Sequence, residues 1–185
     1  MAQLSALLTP ALFNFALWSG WLSDSEQALG DGWLMTAPPV GVEPIELEKQ
    51  LDSYRRAVAL DADVEQRYTL MSKLFSRALT IEPGEERFLW LWTVLEVFPM
   101  RDTSNIQPIS DYLAQVTGRA AADVKRFLYL GNLFGARSDL VHDGKLAYGR
   151  EVLGEVLNKL EAIDVTVLRA LGGLPYAGQL DKYFF

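Results

Sequence analysis

The chain has 185 residues, 50% of them apolar, with a formal charge of −7 and a pI near 4.8. That length and composition support one sizeable core, burying roughly 70% of the surface the unfolded chain exposes. The absence of cysteine and the single histidine exclude disulfides, a thiolate nucleophile and Cys- or His-rich metal sites, no carboxylate spacing proposes magnesium, and the acidic balance opposes non-specific coating of nucleic acid while leaving a local site open.

Taken in order, the chain begins with Leu4, Leu7, Leu8, Leu12, Phe15, Trp18 and Leu22 recurring at helical spacing. No Lys or Arg precedes this run and Asn14 and Ser19 interrupt it, so it reads as a buried helix rather than a signal or membrane span, and a cytoplasmic protein is expected. Gly30-Asp31-Gly32 and the Pro38-Pro39 to Pro44 stretch then break the chain. Residues 1–45 are expected to form a helical extension and linker, in which Trp18, Trp21 and Trp33 are either core or a ligand or partner surface. Acids outnumber bases here, with Lys49 the one basic residue of the first fifty. An anionic ligand should therefore be met by the second half.

Leu47, Leu51, Tyr54 and Val58 predict an amphipathic surface helix between Ile45 and Ala59. Asp61-Ala62-Asp63 opens a stronger helix that runs to about Thr80, and Glu82 to Glu86 separates it from the next, placing acids where the helix dipole favours them. Arg87 to Phe98 is the most hydrophobic segment and has almost no polar face, so it should be central. Glu96 within it must be paired, hydrogen-bonded or neutralised: either it caps a neighbouring helix or meets an arginine, and the sharper reading pairs it with Arg137.

Ile109, Tyr112, Leu113 and Val116 make a short helix that Gly118 can close, and a helix from Ala121 should run through Phe134. That helix arrives at a polar knot, Arg137-Ser138-Asp139-Leu140-Val141-His142-Asp143-Gly144, with Gly144 suited to the left-handed position past a helix end. Val152, Val156, Leu160, Ile163 and Val167 then give a long last helix, and residues 171–185 a tail whose apolar end either docks or stays exposed. The predicted architecture is all-α, a four- to five-helix up-and-down bundle over residues 46–170.

The knot is the one place where chemistry is expected. It holds the chain's single histidine, a residue type able to exchange protons, as His142, and the permanent cation Arg137, with Ser138 and Asp139 beside them. Residues five apart on a continuous helix differ by about 140° in direction, so Arg137 and His142 converge only if the helix end unwinds, if their long side chains curl toward a common point, or if a second subunit contributes.

Leu95-Glu96 at the end of an apolar helix, followed by Arg137-Ser138 and then Leu140-Val141-His142, resembles the HEPN superfamily, in particular its ApeA-like branch. Four residues separate Arg137 from His142, within that superfamily's spacing, and Asp143 separates His142 from the glycine that follows it directly in the branch. The resemblance spans about residues 60–165. It implies an all-α bundle, a homodimer, and a metal-independent endoribonuclease in defence or stress response, with Arg137 and His142 catalytic and Glu96, Ser138 and Asp139 supporting. It also implies the alternative of an inactive module that binds nucleotide, RNA or protein, with an antitoxin or sensor partner. Gly144 stands where some members carry a tyrosine that a partner enzyme modifies, so that regulation is not expected.

Overall fold

The structure is a computed structural model that describes residues 62–184 other than 102 and 147, and the described residues are helical with no strand. The extension expected over 1–45 and the amphipathic helix expected over 45–59 lie outside the described residues. Among the described residues six α-helices follow: α1 (Ala62–Leu79), α2 (Glu85–Leu95), α3 (Gln107–Thr117), α4 (Ala121–Phe127), α5 (Leu130–Asp143) and α6 (Arg150–Leu171). None of them is long and apolar enough to cross a membrane.

The core grows around α2. Phe88, Leu91, Trp92, Val94 and Leu95 are buried, and Leu89, Trp90 and Thr93 on its remaining sides are half-buried. A helix without a polar face must be covered from several directions, and α1, α5 and α6 all pack on it. Across from it α1 contributes Tyr68, Met71, Phe75 and Ala78, while α6 contributes Leu160, Ile163, Val167 and Leu168.

Past Leu95 the regular helix gives way over Glu96–Met100, where Phe98 is extended (φ −162°, ψ 135°) and the Phe98–Pro99 peptide is cis. The expected helix through Phe98 therefore ends its regular part three residues early, and this irregular segment packs against both α1 and α3. Arg67 of α1 donates to the Val97 carbonyl at 3.2 Å, satisfying an acceptor freed by the loss of helix.

The helix expected from Ala121 into the knot is two helices. Tyr129 takes a left-handed conformation (φ 54°, ψ 37°) between α4 and α5, and restarts the chain in a new direction. Gly118 (φ 71°) and Gly144 (φ 67°) close α3 and α5 in the left-handed region, as their sequence positions predict. The tail docks: Leu174, Leu180 and Phe184 are buried, with a single turn of tighter helix over Asp181–Tyr183 between the last two.

Candidate functional site

Leu133, Ala136 and Leu140 form the buried stripe of α5, and Arg137 lies beside it on the side facing α2. Its guanidinium meets the Glu96 carboxylate at 2.8 Å, with each side chain about 30% exposed. The pairing read from the sequence is therefore present. The same Glu96 oxygen accepts the indole N–H of Trp92 at 3.0 Å, one turn earlier along the chain. Trp92 is itself buried and its ring lies 6.0 Å from that of Phe134, so the carboxylate is fixed from below by a packed aromatic pair and from above by a cation.

His142 occupies the last turn of α5 and is exposed. It makes no hydrogen bond or ion pair among the described residues. Because α5 is continuous from Leu130 to Asp143, Arg137 and His142 stand about 140° apart around the axis and about 7.5 Å apart along it. The helix end does not unwind to bring them together: Gly144 N–H bonds the Leu140 carbonyl at 3.1 Å and closes the last turn. Ser138, half-buried, lies one turn below His142 on the same side, and Asp139 is exposed. Glu96 and Arg137 are thus brought together, His142 and Ser138 share the outward side, and the two sets face apart within one chain.

Two features escaped the sequence reading. The Trp92–Glu96 bond follows ordinary i, i+4 spacing on a helix and could have been read from it. A second polar cluster lies on α6, where Glu161 pairs with Arg87 of α2 at 2.5 Å and Asp164 is fully buried, neither of its oxygens having a hydrogen-bond partner among the described residues. Burial pushes the Asp164 carboxyl well above its ordinary range, and the Glu161 charge adds to the shift. Glu161 is also raised by burial, in spite of Arg87. The signal available was a carboxylate set in the apolar run Ile163-Asp164-Val165.

A cleft of about 650 Å³ opens beyond the knot, between Pro83–Glu85 and the residues Leu146, Tyr148 and Leu153, and none of the candidate residues lines it. No group of His, Asp or Glu able to hold a metal ion occurs among the described residues. No family model, curated protein or solved structure matches the chain. The arrangement itself offers a half-buried cation held in place by a carboxylate, and a separate solvent-facing imidazole.

Proposed function

We propose that the chain is a HEPN-like, metal-independent endoribonuclease acting in defence or stress response, with its helices forming the up-and-down bundle of that superfamily. The observation that carries this reading is the Glu96–Arg137 ion pair. It links the two sequence segments on which the resemblance rests, and it holds the guanidinium partly open to solvent. In this reading His142 takes the proton of a ribose 2′-hydroxyl or protonates the departing 5′-oxygen, and Arg137 stabilises the extra negative charge on the phosphate. Glu96 positions Arg137, and Ser138 and Asp139 orient the ribose or the imidazole.

Opposed directions within one chain make a homodimer part of the proposal, since a two-fold axis along the flank of α5 between the two directions turns Arg137 of one copy toward His142 of the other. The second reading is a non-catalytic module that binds RNA or a nucleotide, with an antitoxin or sensor as partner. It is favoured by the neutralisation of Arg137: a cation already paired at 2.8 Å has less charge to offer a transition state.

Incubation of the purified chain with single-stranded and structured RNAs in EDTA tests the first reading. Cleavage is expected, and expected to vanish in both His142→Ala and Arg137→Ala. Cleavage that survives either substitution overturns the mechanism, and a strict monomer at working concentration overturns the shared site. RNA binding without cleavage by the wild-type chain selects the second reading.

A further inference from the structure

Away from the knot, Arg119, Arg126, Lys159 and Lys182 of this acidic protein each lie over an aromatic ring. Arg119, in the turn between α3 and α4, stands 4.1 Å from the ring centre of Phe184, and Arg126 stands 4.5 Å from that of Phe127. Lys159, in the middle of α6, sits between two tyrosines, 4.7 Å from the ring centre of Tyr129 and 5.3 Å from that of Tyr183. Lys182 covers Tyr183 at 4.8 Å. Phe127 and Phe184 meet edge to face at 6.2 Å, so these rings and cations join into one continuous face built from the α3–α4 turn, the α4–α5 break, α6 and the docked tail.

Three acids stand beside three of these cations. Asp123 pairs with Arg126 at 3.1 Å, Asp181 lies 3.9 Å from Arg119, and Glu155 precedes Lys159 by one turn. Lys159 and Lys182 have no carboxylate within ion-pairing distance among the described residues. Lys159 is 9% exposed beneath Tyr129 and Tyr183, and its burial favours loss of the proton while Glu155 opposes that loss. Tyr129, by contrast, is 59% exposed, a large ring turned to solvent by a left-handed backbone that only the surrounding structure holds in place.

We propose that this face binds single-stranded RNA, with Tyr129 stacking on a base and Lys182, Arg119 and Arg126 following the phosphates. One exposed ring, Tyr129, set among exposed cations suits a flexible strand whose bases can be splayed out, whereas the bases of a duplex already cover each other. An acidic peptide would satisfy the cations and leave the tyrosine ring unused. Tyr129 and His142 stand at opposite ends of α5, about 20 Å apart along its axis, so a strand held at the ring has only a short run to the imidazole. The choice of RNA as the ligand rests on the ribonuclease reading above; the face itself does not use Arg137 or His142.

The test is fluorescence anisotropy on the full chain with a fluorescein-labelled oligouridylate, over a series of salt concentrations, each variant being checked for native helix content by circular dichroism. Tyr129→Asn, a residue that tolerates the left-handed backbone, should weaken binding about tenfold, and Tyr129→Phe should retain it. Arg126→Glu with Lys182→Glu should flatten the dependence of affinity on salt by about 1.4, roughly 0.7 for each phosphate that is no longer neutralised. Unchanged affinity in these variants, no binding by the wild-type chain, or equal binding of fluorescein-labelled polyglutamate overturns the proposal. If binding is unchanged while cleavage still depends on His142, only this face is wrong. If binding falls as described and no cleavage occurs, the face stands and the ribonuclease reading fails.

Discussion

Arg87 and Glu161 meet at 2.5 Å, with side chains 16% and 24% exposed, and so tie the first turn of α2 to the middle of α6. The pair is more than a surface contact, because Asp164 lies one turn further along α6 and its environment already disfavours a second negative charge. Arg87→Leu removes the cation and leaves Glu161 half-buried without it. A loss of about 2 kcal/mol is expected in urea unfolding, more than an exposed ion pair would give. A loss below about 0.5 kcal/mol would show that the pair contributes no more than a solvated one.

Asp164 should make stability fall as pH rises. Its folded carboxyl is raised well above 3.8, so between 3.8 and that raised value the native state holds a proton the unfolded chain has released. The associated stability is fully present below 3.8 and is lost as pH rises through the folded value. Asp164→Leu replaces the unpaired carboxyl with an apolar group and should stabilise the protein by about 1–3 kcal/mol near neutrality. The gain over wild type should shrink on acidification toward pH 3.8, and unfolding curves of the two proteins across that range measure it.

The Trp92–Glu96 hydrogen bond should appear as a coupling energy. Trp92→Phe removes the indole N–H together with ring volume, and Glu96→Leu removes the acceptor that both Trp92 and Arg137 use. A double-mutant cycle separates volume from bond, and a coupling of about 1 kcal/mol is expected. A coupling near zero would mean that Arg137 alone fixes the carboxylate.

Gly144 holds a left-handed backbone with open space where a Cβ would stand. Gly144→Ala therefore meets no clash and isolates the backbone cost, about 1 kcal/mol in thermal unfolding. Gly144→Asn should lose about half as much, since Asn visits that region more readily. Equal losses for the two would place the effect elsewhere than in the backbone.

Much of this arrangement can be read from local chemistry. The lack of a polar face on Phe88 to Leu95 foretells a central helix, and Gly118 and Gly144 follow apolar periods that have to end somewhere. Glu96 in an apolar run demands a partner, and Arg137 is the cation of the candidate knot. The Tyr129 break is a different matter, because apolar residues continue across it from Val124 to Leu133 and nothing in a tyrosine favours a left-handed backbone. Packing imposes that turn. The Lys159 cluster is also illegible in sequence, since its rings come from positions 129 and 183 and meet only when the tail docks. Asp164 was visible as a carboxylate between Ile163 and Val165, but its complete burial depends on α6 being covered on every side around residues 163–169.

The break at Tyr129 and the cap at Gly144 together fence α5 with a left-handed residue at each end. Between those ends, the side of α5 that faces the core is set by its buried stripe of Leu133, Ala136 and Leu140. Changes in α4 or in the loop after Gly144 can shift the helix or tilt it. They cannot alter the 140° between Arg137 and His142, which is fixed by the count of residues between them.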